Sequence, residues 1–348
     1  MPRALVTGSA GFIGFHMSQR LLNDGWQVFG LDCLSDYYDV ELKKARHRIL
    51  SNSGEFRAVI GALQDKDVVA AIFADGAFDA VFHLAAQAGV RHSIDAPATY
   101  VASNLVGTFN LLEAMRAAPP AHALMASTSS VYGANAKMPY RETDRAVSQM
   151  SFYAATKVAT EAMAHSYAHL YDVPVTMFRF FTVYGPWGRP DMAYFKFTKA
   201  ILEGQPIDVY NQGRMRRDFT YVGDLVEALV RLIPCAPVRP GRPEDVAPGD
   251  SLSTVAPYRV VNIGNEQPVE LLHFIETIEA ALGQKAEMRL GEMQPGDVVA
   301  TWADTGLLKS LTGYAPSTPL DRGIGEFIDW YRSYITKRRP QNPENFRG

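Results

Sequence analysis

Tyr153 and Lys157 stand four residues apart, a spacing that puts both side chains on one face of a helix. A tyrosine ionises at about pH 10 when unperturbed. A neighbouring ammonium and a cationic nicotinamide would favour its phenolate, which could then take the proton of a hydroxyl group. A second set of residues supplies the site such a nicotinamide would need. Gly8, Gly11 and Gly14 follow the apolar run Ala4-Leu5-Val6-Thr7. That spacing suits a tight turn where backbone N–H groups and a helix N-terminus approach a pyrophosphate. Phe12 and Ile13 can anchor the helix that follows. Asp32 closes the next apolar run, about 20 residues further on, where a carboxylate accepts from an adenosine ribose. Its negative charge favours NAD over a cofactor with an extra phosphate. Lys43 and Arg46 are expected on the solvated face of a helix.

Other residues gather around this pair. Ser127-Thr128-Ser129-Ser130 follows an apolar run and brings hydroxyl groups beside the expected pocket. His83-Leu84-Ala85-Ala86-Gln87 ends another run, and its small residues permit close cofactor packing at Leu84, Ala85, Ala86 and Gln87. His83 reads as a hydrogen-bonded residue at a strand end, and Asn104 as a residue that fixes local backbone geometry. Phe195, Val209 and Tyr210 are candidates to line a uracil pocket, with core packing the alternative.

These residues need a scaffold, and the first half of the chain encodes one. Strand patterns at 3–7, 27–31, 57–60, 79–84, 122–127 and 174–180 alternate with helical patterns at 12–24, 40–51, 65–74, 98–117 and 151–171. Such alternation predicts an α/β fold, a Rossmann-like doubly wound parallel sheet with helices on both faces. A smaller mixed α/β C-terminal domain is expected to cap it on the substrate side. The cofactor domain is placed at 1–181, with approximately 218–264 returning to it. The cap takes 182–217 and 265–335, and the Pro-, Gly- and Asp-rich stretch 236–257 is expected to be an exposed loop.

The 348 residues are 47% hydrophobic, enough for a sizeable core. A net charge of −3 gives no overall attraction to nucleic acid or to acidic membranes. Arg214, Arg216 and Arg217 form a local basic cluster, and Lys337-Arg338-Arg339 a solvated one. Cys33 and Cys235 sit in no metal-ligand pattern, so neither a metal nor a disulfide framework is expected. No long apolar run suggests a membrane span or a leader, and a cytoplasmic enzyme is the expectation.

Taken together, Gly8 to Gly14, Asp32, His83 to Gln87, Thr128 and Tyr153 with Lys157 resemble the extended short-chain dehydrogenase/reductases. The resemblance covers nearly the whole chain. It implies tightly held NAD, with Leu63, Tyr153 and Lys157 among the residues that bind it, a nucleotide-sugar-binding C-terminal domain, and Thr128 as the hydroxyl that aligns the sugar with Tyr153. Within that family the chain resembles the UDP-glucuronate 4-epimerases. Asp32 to Val40, Ala85 to Arg91, Tyr184 to Ala193 and Arg217 to Tyr221 carry this narrower likeness. Three positions depart from the pattern: Cys33 replaces a common Asn, Ala62 an adenine-side Asp next to Leu63, and Gly223 a common Asp.

The resemblance implies reversible inversion at carbon 4 of UDP-glucuronate through a 4-keto sugar. It assigns Ser129, Ser130 and Thr182 to the sugar carboxylate and Arg217 to the diphosphate. Arg189 and Arg91 are further substrate-side candidates. Decarboxylating relatives carry Glu where Ser130 stands, and dehydratases carry two acids after the Thr. UDP-glucose/UDP-galactose epimerisation is the alternative, followed by decarboxylation or simple dehydrogenation. A homodimer paired through helices 98–117 and 151–171 is implied.

Overall fold

The computed structural model describes residues 1–294 and 296–338. Arg339, and the side chains of Lys337 and Arg338, lie outside the described residues. Twelve strands are present among the described residues: β1 (Arg3–Thr7), β2 (Gln27–Asp32), β3 (Phe56–Ile60), β4 (Ala80–His83), β5 (His122–Ala126), β6 (Val175–Phe180), β7 (Thr182–Tyr184), β8 (Ile207–Val209), β9 (Arg216–Tyr221), β10 (Tyr258–Ile263), β11 (Pro268–Glu270) and β12 (Met288–Leu290). Seven form one sheet in the order β10-β6-β5-β4-β1-β2-β3. All of its pairings are parallel. The order reverses between β1 and β4, the place where open α/β sheets hold their ligands.

Parallel strands are apolar on both faces because helices cover both. Val6, Phe82, Leu124 and Phe178 pack against the helices Phe12–Asn23 and Val222–Leu232. Their neighbours Leu5, Val81, Ala123 and Met177 face the other way, toward Lys66–Ala74, Gly107–Ala117 and Phe152–Tyr171. Each fully buried large apolar side chain contributes about 1.5–3 kcal/mol.

The smaller body has a mixed sheet, β11-β9-β7, with β7 parallel and β11 antiparallel to β9, and the parallel pair β12-β8. Its core mixes aromatic and aliphatic side chains, and Phe219 stacks on Phe274 at 4.2 Å. The chain crosses between the two bodies repeatedly, since β10 pairs with β6 after β7, β8 and β9 have joined the smaller one.

Two segments differ from expectation. The helix expected over 98–117 runs without a break from Pro97 to Ala117, but it contains a π-helical turn, Val101–Val106, and a separate short helix, His92–Asp95, precedes it. Pro97 starts a new helix because it lacks an N–H to continue an old one. The wide π turn carries Asn104, and such turns gather at functional sites. The stretch 236–257 is most exposed in its middle, and its flanks carry both exposed and buried residues. Its flanks dock on the end of the helix Phe152–Tyr171, where His165 meets Ser253 at 2.8 Å and Arg239 binds Asp172.

Candidate active site

The glycine-rich turn leaves β1 at the sheet's C-terminal edge. Gly8 adopts φ +74°, and a Cβ there would lie 2.9 Å from the Ala85 nitrogen. The turn is pinned by Gly8 N–H donating to Leu31 O at 2.7 Å and Gly11 N–H to Gly8 O at 2.9 Å. Gly11 caps the helix Phe12–Asn23 with no side-chain hydrogen bond, so the first-turn N–H groups of Phe12, Ile13 and Gly14 face a concave backbone turn. Asp32 is held by two backbone donors, Ala10 N–H at 2.9 Å and Leu34 N–H at 2.8 Å. Its carboxylate keeps lone pairs for a ribose. An uncapped helix N-terminus, a turn without side chains and a fixed carboxylate fit a dinucleotide.

The wall opposite is the loop after β4. Thr7 Oγ1 accepts from the N–H groups of Leu84 and Ala85, both at 3.2 Å. Asn104 accepts from Gln87 N–H at 2.8 Å and donates to Gln87 O at 3.1 Å and Thr156 Oγ1 at 3.0 Å. It therefore ties the loop carrying Ala86 and Gln87 to the helix carrying Tyr153. His83 lies between Thr7 and Thr108, at 2.9 and 3.0 Å, and burial lowers its pKa to about 3. It is a neutral structural residue. Leu63 packs against Gly107, and its carbonyl accepts from Asn110.

Tyr153 and Lys157 are buried on the helix Phe152–Tyr171, which Ser151 caps through Ala154 N–H at 3.1 Å. Tyr153 sits in the first turn, where the helix dipole favours an anion. Thr128 follows β5 and caps a short 3₁₀ turn, Ser129–Tyr132. Its Oγ1 accepts from Ser130 N–H at 3.2 Å and lies 3.3 Å from Ser130 Oγ. The electrostatics differ from expectation in one respect. Burial raises the Tyr153 phenol above its ordinary value, against the Thr128 hydrogen bond and the charge of Arg189. Lys157 is pushed down to about 8, also by burial, with Glu161 opposing. Without a further positive charge beside it, the phenol keeps its proton at neutral pH.

The substrate-side residues divide. Thr182, half-buried, opens β7 just past the end of β6. Arg189 pairs with both oxygens of Asp191, at 3.0 and 2.6 Å, and lies 5.9 Å from the Tyr37 ring. Arg91 pairs with Asp297 at 3.0 Å and covers the Tyr210 ring at 4.7 Å. Arg217 donates to the carbonyls of Arg216 and Val299, and burial lowers its pKa while Asp297 opposes. Arg91, Tyr210 and Arg217 thus meet around the strap 296–299. The basic cluster does not act as one, because Arg216 turns outward to Glu270. Val209 and Phe195 are buried in the core of the smaller body.

Lys43 and Arg46 are the clearest correction. Neither is solvated. Lys43 donates to Ser35 O at 2.6 Å and lies over the Tyr38 ring. Arg46 is fully buried and donates to Ala10 O at 2.9 Å, to Tyr38 Oη at 2.8 Å, and to the carbonyls of Trp187 and Gly188 at 2.5 and 3.3 Å. His16 adds Pro186 O at 2.8 Å, and burial lowers its pKa to about 4. A carbonyl can only accept, so His16 carries its proton on Nε2. Three consecutive carbonyls of the loop before Arg189 are thus clamped from the cofactor side. Arg46→Met is expected to cost about 3 kcal/mol in urea unfolding, since each stranded buried carbonyl costs roughly 1–3 kcal/mol. A loss under about 0.5 kcal/mol would contradict the clamp.

A turn for a dinucleotide at the sheet's switch point, beside a Tyr–Lys–Thr set, defines an NAD-dependent enzyme acting on an alcohol carbon. The chain belongs to the NAD dependent epimerase/dehydratase family, whose model matches residues 4–242. It is 53% identical to a probable UDP-glucuronate 4-epimerase of Rhizobium meliloti, over 94% of this chain and 96% of that one. It is 45% identical to UDP-glucuronate 4-epimerase 1 of Arabidopsis thaliana, over 95% of this chain and 76% of that one. Among solved structures it resembles the UDP-glucuronic acid 4-epimerase of Bacillus cereus in complex with UDP-glucuronic acid and NAD. That likeness has a TM-score of 0.84 and 30% identity, over 95% of this chain and 99% of that one.

Proposed function

We propose that this chain interconverts UDP-glucuronate and UDP-galacturonate by inverting carbon 4 of the sugar. Bound NAD, held by Gly8 to Gly14, Asp32 and the Leu84–Gln87 wall, supplies reversible hydride exchange at that carbon, so net oxidation is zero. Tyr153 Oη takes the proton of O4 and later returns it. Lys157 supports the phenolate, and Thr128 aligns the oxygen. Arg217 and Arg91 hold the diphosphate, and Arg189 shapes the sugar side.

One observation carries the choice of sugar. Thr128 caps a turn that sets Ser129 and Ser130 next to the catalytic hydroxyls, and no carboxylate stands in that turn. Hydroxyl donors can hold a sugar carboxylate, and the acid that decarboxylating relatives carry at this position is absent. The 4-keto sugar would lose carbon dioxide readily if its carboxylate aligned with the carbonyl. Ser129, Ser130 and Thr182 are assigned to hold it out of that alignment. Ser130→Ala or Thr182→Val should therefore release more labelled carbon dioxide per epimer formed, and an unchanged ratio would count against this role.

Incubation with UDP-glucuronate, followed by separation and mass detection, tests the reading. The isobaric galacturonate form is expected. A UDP-pentose product, or turnover of UDP-glucose alone, would overturn it.

In the same reading the cofactor domain and its cap meet at this cleft, and the enzyme is cytoplasmic. No helix among the described residues is long and apolar enough to cross a membrane. A homodimer would bury the exposed Val101, Val106 and Phe109 of one helical stretch with Phe152, Leu170 and Tyr171 of the other.

A further inference from the structure

Behind Lys157 lies an ion pair that the reaction above does not use. Glu161 is one turn further along the same helix, on the same face. Its Oε1 accepts from Ser127 Oγ at 2.5 Å and from Arg179 Nε at 2.9 Å, and its Oε2 from Arg179 Nη2 at 2.7 Å. The Glu161 and Arg179 side chains are only 9% and 5% exposed. Ser127 directly precedes Thr128, and Arg179 comes from β6, so the carboxylate joins the catalytic helix to two strands of the sheet. Arg179 is braced in turn by the Tyr132 ring at 4.8 Å.

A buried ion pair is weak evidence of stabilisation, since apolar residues of similar volume often serve as well. Its place suggests another use. We propose that Glu161 is a positioning residue for catalysis, whose carboxylate, locked by Arg179 and Ser127, holds Lys157 as a cation beneath Tyr153. This rests on the catalytic role given to Lys157 above.

Several charged and titratable groups lie around Lys157 on the elements packed against it. Tyr153 and Glu161 share its helix, Tyr100 comes from Pro97–Tyr100, Tyr132 from the turn Ser129–Tyr132, His83 from β4, Arg179 from β6, and Tyr258 from β10. His83 is neutral through burial, and the buried Tyr258 phenol is raised well above its usual value. Glu161 is therefore the anion that opposes the burial of Lys157, which otherwise drives the amine toward its neutral form. The sign follows. Removing the carboxylate lets Lys157 lose its proton at lower pH, so support for the phenolate ends earlier as pH rises.

Glu161→Gln keeps the shape and the Ser127 hydrogen bond but removes the charge. In the full-length NAD-loaded protein, the alkaline limb of kcat should move down by about 1 pH unit. The KM for UDP-glucuronate should stay within about threefold of the parent. The carbon-13 signal of the Lys157 ε-methylene, assigned with Lys157→Met, should titrate lower by the same interval. This second readout needs no turnover, so a failed epimerase assay would count against the proposed reaction and leave the Glu161 result readable.

Glu161→Gln strands Arg179 and risks misfolding. The double variant Glu161→Met with Arg179→Met strands neither partner. Its Lys157 should titrate between the single variant and the parent. A folded single or double variant in which Lys157 titrates with the parent would overturn the proposal.

Discussion

Tyr153→Phe is expected to lower kcat for epimerisation by about 10³-fold, within the range that a positioned acid–base group supplies. The change removes one oxygen and keeps the ring, which packs edge-on to Tyr100 at 6.1 Å. Neither the glycine turn nor Asp32 touches that oxygen in the structure, so bound NAD should be unchanged. The KM for UDP-glucuronate should move little. Epimer formation followed by mass detection reads the first effect, and cofactor released on denaturation reads the second. A loss below tenfold would remove Tyr153 from the proton path. The same variant tests the electrostatics. Burial holds the phenol above its ordinary value in the bare site. A positive charge beside it would bring it down. The Tyr153 contribution to the ultraviolet titration, taken as parent minus Tyr153→Phe, should therefore lie at lower pH with NAD bound than without it. Below that ionisation the base is protonated, so the rate should climb with pH across it.

Gly14→Ala should reduce cofactor affinity by roughly one to two orders of magnitude. An added Cβ would stand 2.0 Å from Gly8 O and 2.7 Å from Gly8 C. Gly8 has little freedom to retreat, because its own N–H is bonded to Leu31 O at 2.7 Å and a Cβ's breadth separates it from Ala85. The helix Phe12–Asn23 must instead lift from the turn, which draws its N-terminus away from the pyrophosphate. Overpacking of this kind costs about 1–3 kcal/mol, and about 1.4 kcal/mol is tenfold in affinity. Equilibrium dialysis of NAD against stripped protein measures it. Gly54→Ala is the control, since an added Cβ there meets nothing within 4 Å. Equal NAD binding by Gly14→Ala and the control would refute the close-packing account of this turn.

What could be read in the sequence was local. The strand–glycine–helix run, Asp32 at the end of β2, and Tyr153 with Lys157 one helical turn apart each occupy a short stretch whose residue types dictate its geometry. The same holds for the six strand patterns that became β1 to β6. Period-2 and buried apolar runs carry their own signal. Glu161 continued the Tyr153–Lys157 face by one more turn, and that spacing could have marked it.

Arg46 shows why the rest was hidden. A basic residue on a helix is ordinarily solvated, and nothing near Arg46 in the chain says otherwise. Its partners at Trp187 and Gly188 are backbone carbonyls brought from far along the chain. Every residue has such a carbonyl, so the pairing leaves no trace in residue type. Arg91 with Asp297, and Arg179 with Glu161, are equally products of how the two bodies and the sheet close up. By itself, then, the sequence determined the chemistry on offer: a glycine turn suited to a dinucleotide, a tyrosine suited to moving a proton, and a cluster of hydroxyls beside it. Only the tertiary structure decided which charges are buried and what holds them. Burial pushes Tyr153 and Lys157 toward their neutral forms, and burial is a property of the whole packed chain.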